Sequence, residues 1–103
     1  MMAKLHVDLQ EGFADDKVVV RVNGLEIFCQ EKLTSRPELG LAKTLEAEVE
    51  AGQVKIEVAL PEKKLSKSIE TEVRTETWVA FSIDHKTGKF VEPKAQDTLF
   101  GYV

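Results

Sequence analysis

Lys17-Val18-Val19-Val20-Arg21-Val22-Asn23-Gly24-Leu25-Glu26-Ile27-Phe28-Cys29 is the stretch that decides the fold. Asn-Gly suits a two-residue type I′ turn, because both central positions of that turn take positive φ. On either side the apolar residues recur at every second position, the period of a strand with one buried face. Centred on Asn23-Gly24, the pairing predicts Val22 opposite Leu25, Val20 opposite Ile27 and Val18 opposite Cys29. All six then share one face, as a correct register requires. Val19 and Phe28 fall on the other face and are expected outward.

The same period runs through most of the chain. Leu5, Val7 and Leu9 alternate with Lys4, His6 and Asp8. Leu45, Ala47 and Val49 alternate with Thr44, Glu46 and Glu48. Glu50 to Gln53 reads as a four-residue loop, and Val54, Ile56, Val58 and Leu60 return on the inner face. As a hairpin, this predicts Glu48 opposite Lys55 and Glu46 opposite Glu57. Pro61 ends the strand, and a lysine-rich stretch leads to Ile69, Thr71 and Val73, with Glu70, Glu72 and Arg74 outward. Val79, Phe81 and Ile83 are expected inward, with Trp78, Ala80 and Ser82 on the opposite face. Asp84 to Gly88 reads as a type I turn with a left-handed glycine, returning into Phe90 and Val91 before Pro93. Residues 30–42, with Pro37 and Gly40, suit a connection between sheets with a helical turn near Pro37. The apolar tail from Asp97, with Leu99, Phe100, Tyr102 and Val103, is expected to dock on the body.

No segment carries a useful 3.6-residue apolar stripe. About eight short strands with turn signals between them predict an all-β fold, a two-layer antiparallel β-sandwich, as one domain over residues 1–103. The length of 103 residues, 43% hydrophobic and 31% charged, suits one ordinary globular domain. The formal net charge of -4 lacks the basic field that phosphate backbones and anionic lipid attract, so neither nucleic acid nor membrane is an expected partner. No apolar run approaches a membrane span, and Asp8 interrupts any leader-like start. With Cys29 as the sole cysteine, no internal disulfide forms, and a reducing, cytoplasmic setting is expected.

Candidate chemistry is sparse. Cys29, expected to be buried, reads as an inert small hydrophobe. His6 and His85 have no metal-ligand spacing and lie in no motif that sets either beside a serine. The six glycines are dispersed singly and read as turns rather than a phosphate cradle. Glu46 and Glu57, extended by Glu70 and Glu72, suggest an acidic face, with a solvated sheet surface preferred over a cation site. Asp8, Asp15 and Asp16 flank the first loop and read as turn formers, with Phe13 as a plug at the sandwich end. We expect no catalytic residue, no metal site and no cofactor. The expected ligand or partner surface gathers Trp78, Phe100 and Tyr102, with Phe28 as a further outward aromatic.

Asp8-Leu9-Gln10-Glu11-Gly12-Phe13, then Val18 to Gly24, and the closing Phe100-Gly101-Tyr102 resemble small stand-alone bacterial β-sandwich proteins without an assigned activity. The resemblance implies an immunoglobulin-like or prealbumin-like sandwich and supplies no catalytic residue. The leading expectation is a non-enzymatic protein-interaction or self-associating module, whose partner is a second copy or another protein. A small-ligand or carbohydrate-binding sandwich using Trp78 or Tyr102 is the alternative, and an enzyme ranks last.

Overall fold

A computed structural model describes residues 1–36, 38–98 and 100. The alternating pattern becomes strands β1 (Met2–Leu9), β2 (Asp16–Val22), β3 (Leu25–Leu33), β4 (Lys43–Glu50), β5 (Gly52–Leu60), β6 (Leu65–Val73), β7 (Glu76–Phe81) and β8 (Lys94–Gln96). They form two four-stranded sheets, ordered β4-β1-β7-β8 and β3-β2-β5-β6. Strand β1 runs antiparallel to β4 and parallel to β7; the other ladders are antiparallel. The expected all-β, two-layer sandwich is the observed architecture.

Side chains from both sheets meet in one core. Leu5, Val7 and Leu9 of β1 face Val18, Val20 and Val22 of β2, with Ile56, Val58, Val79 and Phe81 beside them. Phe13 plugs one end, as expected, and is buried. Its loop is tied by the Ser35 side chain, which accepts from Phe13 N and donates to Gln10 O. Asp16 is buried, accepts a hydrogen bond from Ala14 N and pairs with Lys63 Nζ at 2.6 Å. The turn-forming role expected of Asp16 is therefore the observed one, whereas Asp8 sits within β1, opposite Thr44.

Four expectations need correction. The first concerns β3. Asn23 and Gly24 take φ of 52° and 83°, as the turn demands, and Val22 pairs with Leu25. Arg21 then pairs with Glu26 but Val20 with Phe28, so Ile27 is an inserted residue. One extra residue reverses every following side chain. Phe28 turns to pack on the core, while Ile27 and Cys29 are exposed. Cys29 lies opposite Val19 rather than Val18, and is not the buried residue the register implied.

The second correction is the hairpin expected over 44–59. Ala51 N still donates to Met1 O in the first sheet, whereas Gly52 already pairs with Val73 in the second. Gly52, at φ +134°, turns the corner between sheets at a conformation side-chain-bearing residues avoid. Glu46 therefore faces His6 and Glu48 faces Lys4, while Glu57 faces Arg21 and Lys55 faces Glu70. The continuous acidic face of Glu46 and Glu57 does not exist.

The third is Val19. It is buried rather than outward, because β2 is an inner strand flanked there by Cys29 and Ala59, with the 3-10 turn at Pro61–Lys63 lying against it. The fourth is the chain after Gly88. Phe90 makes a single bridge to Ile83, and the last described strand comes later, at Lys94–Gln96. Near Pro37, where a helical turn is expected, Arg36 O accepts from Leu39 N at 3.1 Å and Gly40 N at 2.9 Å, whereas Pro37 itself and the docking expected of Leu99, Tyr102 and Val103 fall on residues outside those described. Among the described residues no helix is long and apolar enough to cross a membrane.

Gly12 joins the first loop to the hairpin end. Its φ is +92°, and a Cβ there would stand 2.1 Å from Ile83 O. Gly12→Ala is expected to destabilise by about 2–4 kcal/mol, from left-handed strain plus backbone collision. Gly24→Ala, at φ +83° with nothing near its added Cβ, should lose only about 1–2 kcal/mol. Urea unfolding of both variants checks the ranking; equal losses would contradict it.

Candidate functional site

Three surfaces gather side chains capable of recognition. The first is the outer face of the first sheet. Neighbouring strands lie about 4.8 Å apart, so two flat side chains standing in register on one face stack. His6 is in register with Trp78 across the parallel β1–β7 ladder. Their rings are stacked with centroids 4.6 Å apart and planes 4° from parallel. Glu76, one step earlier on that face of β7, accepts from His6 Nε2 at 2.6 Å. Glu46, opposite His6 on β4, places Oε2 3.7 Å from Nδ1.

Because an ionised carboxylate only accepts, the proton of neutral His6 belongs on Nε2. The other ring nitrogen then faces Glu46, not a hydroxyl. In the imidazolium form both nitrogens donate, one toward each carboxylate. Glu46 and Glu76 approach opposite nitrogens of one ring, so the three groups do not converge on a point a cation could occupy. Among the described residues no group of three or more His, Cys, Asp or Glu is placed to hold a metal. One face of the Trp78 indole is covered by His6, and its other strand neighbour in register is Gln96.

The second surface is the open flank where β4 and β3 form the edges of their sheets. Leu25 is 70% exposed and Ile27 is 37% exposed. With Val22, Asn23 and the β4 segment Ala47 to Glu50, they line a groove of about 330 Å³. The opposite flank is polar. Thr71, Glu72, Arg74, Thr75, Glu76, Thr77 and Asp97 line a cleft there, and Lys67 pairs with Glu92 across its edge at 3.3 Å. Within it the Glu72 carboxylate, by hydrogen bond first and charge second, raises the pKa of the Arg74 guanidinium.

The third is a cleft of about 200 Å³ at the sandwich end, lined by Glu11, Gly12, Phe13, Ala14, Ser35, Arg36 and His85. Its Ser35 hydroxyl is already spent on the loop backbone. His85 thus lies at the end of the sandwich and His6 on an outer face.

Of the expected site residues, Phe28 and Trp78 lie in different sheets. Trp78 is outward and half-buried, Phe28 packs on the core from the other sheet, Phe100 is half-buried and Tyr102 lies outside the described residues. Among the described residues, the ring that stacks on Trp78 is His6. The sequence offered His6 and Trp78 as outward residues, but nothing local announces a parallel pairing between strands 70 residues apart. Leu25 keeps its expected pairing with Val22, so alternation alone gave no sign that this end of the face lies open. No family model, curated protein or solved structure shows a significant match to this chain.

Trp78 is the sole tryptophan, so its emission reports directly on the stack. Removing the ring stacked on it, as in His6→Ala, is expected to change the intensity and position of that emission. His85→Ala should leave the emission as it is, and an emission unchanged in His6→Ala would contradict the stacked geometry.

Proposed function

We propose that this chain is a non-enzymatic protein-interaction module that receives its partner on the open β3–β4 flank. The observation that carries this reading is the groove beside Leu25, Ile27, Ala47 and Val49. It combines exposed aliphatic side chains with strand edges that no strand among the described residues covers. Large exposed aliphatic groups beside an unpaired edge are what partner strands and loops dock against.

Other features fit the same reading. The imidazole of His6 is held between two carboxylates rather than beside a nucleophile, which favours a structural pair over catalysis. The small-ligand alternative through Trp78 is weaker, since a stacking sugar needs an open ring face and His6 lies over one of them. We assign the chain to the prealbumin-like rather than the immunoglobulin-like kind of small sandwich. Immunoglobulin domains keep the first two strands in one sheet, whereas β1 and β2 lie in opposite sheets here. The exposed thiol of Cys29 suits a reducing, cytoplasmic compartment.

A displayed library of random peptides tests the reading. Selection on the intact protein is expected to enrich peptides whose binding is lost in the Leu25→Asp, Ile27→Asp double variant. Leu25 is 70% and Ile27 37% exposed, so neither is a core residue, and circular dichroism should show an intact fold. Enrichment indifferent to the double variant, or none, would remove the flank as an interaction surface.

A further inference from the structure

We infer that the flank takes an extended segment of a partner protein as an added strand on β4, and that this segment alternates basic and apolar residues. The inference rests on the flank being the contact surface. It adds which edge is extended and what chemistry the incoming strand carries.

The edge is β4, not β3. Two irregularities break the β3 ladder, one at Ile27 and one between the Asp16 and Val18 pairings, where Lys32 takes φ +56°. Bulges of this kind twist an edge away from further pairing. Strand β4 pairs with β1 over eight residues without a break. Its bonding pattern follows from the Ala51 N to Met1 O contact. Antiparallel ladders alternate bonded and unbonded pairs, so Lys43, Leu45, Ala47 and Val49 bond to β1. The amides and carbonyls of Thr44, Glu46 and Glu48 then face the open side. The same alternation sends the amides of the even residues of β1 toward β7, as Lys4 N to Thr75 O shows.

The two faces of an added strand would meet different surroundings. On the outer face it would lie beside Glu46, Glu48 and Glu50. Glu46 is already shared by Lys4 at 3.4 Å and His6 at 3.7 Å, and Glu50 lies 3.3 Å from the Met1 amine. Glu48 has no ion pair among the described residues and is the open anchor for a cation. On the inner face alternate side chains would enter the groove under Leu25 and Ile27. A lysine or arginine at every second position, with aliphatic residues between, satisfies both faces at once.

The same charges disfavour a second copy. An antiparallel β4–β4 pairing centred on Ala47 sets Glu46 opposite Glu48 twice. Centred on Glu48, it sets Glu48 opposite itself and Glu46 opposite Glu50. Like charges directly opposed are destabilising, so β4 selects against its own sequence and for a basic one.

The probe is a capped peptide as long as β4, alternating lysine and valine, titrated into the full chain with amide shifts recorded. Shifts are expected along Thr44 to Glu50 and at Leu25 and Ile27, weakening as salt is added. Glu48→Lys should weaken binding by about fivefold to tenfold and improve binding of a matched glutamate–valine peptide. N-methylating alternate amides of the lysine–valine peptide should abolish the β4 shifts, since an added strand needs its backbone donors. No binding up to about 1 mM, equal binding of the acidic peptide, or shifts elsewhere would overturn the inference. Concentration-dependent dimerisation through Thr44 to Glu50 would overturn it too, in favour of a second copy. If the random library yields flank-dependent peptides without the basic alternation, this inference falls and the interaction reading stands. If it yields none, the interaction reading itself falls.

Discussion

Closing water out of the space between β1 and β2 is the constraint on which the rest of the molecule depends. Leu5, Val7, Leu9, Val18, Val20 and Val22 are all buried and look at one another from opposite sheets. Each is an inner-strand residue, with a paired strand on either side. Removing water from aliphatic surface stabilises by about 25 cal/mol per Å², and only a face with period 2 collects enough of it here. The outer faces are then free to be polar, and Lys4, His6, Glu46, Glu48 and Glu76 occupy one of them.

Those core faces were legible because they depend on local alternation alone. So was the Asn23-Gly24 turn, whose positive φ values few other dipeptides accept, and so were the opposite faces of β7, with Val79 and Phe81 inward and Trp78 outward. What could not be read is where alternation is interrupted or where pairing is remote. The inserted Ile27 leaves no trace in composition, yet it exchanges the faces of Phe28 and Cys29. Gly52 looks like an ordinary loop glycine, and a tight hairpin or a corner between sheets leaves the same alternation on both sides. The strand pattern of residues 45–60 was therefore right while the partners of Glu46 and Glu57 were wrong. The stack of His6 on Trp78 needed the parallel β1–β7 ladder, a non-local contact that no spacing encodes. That Phe28 and Trp78 belong to different sheets is likewise a matter of topology that no spacing encodes.

A two-sheet sandwich leaves four edges, and this chain treats them differently. Strand β8 is three residues long, too short to template much. Strand β6 borders the polar flank, where Lys67 and Glu92 are paired. Strand β3 is broken by its bulges. Each is a recognised way of discouraging edge-to-edge aggregation. Strand β4 alone is long, regular and beside exposed aliphatic groups, and its protection is of another kind, a row of glutamates on the outer face.

Charge protects an edge selectively, which bulges and short length do not. A bulged strand rejects every incoming strand because its geometry is wrong. A glutamate-bearing strand rejects those with matching charge, including its own copies, while its amides and carbonyls stay available to a strand of opposite charge. Guarding β4 by charge alone disfavours pairing with its own copies and, on the interaction reading proposed above, leaves the edge open to a strand of opposite charge. Leu25 keeps the expected pairing with Val22 and yet is 70% exposed, because β3 and β4 are both edges and no described strand closes the flank between them. The open flank therefore leaves aliphatic groups in water beside the one edge that charge, rather than geometry, protects.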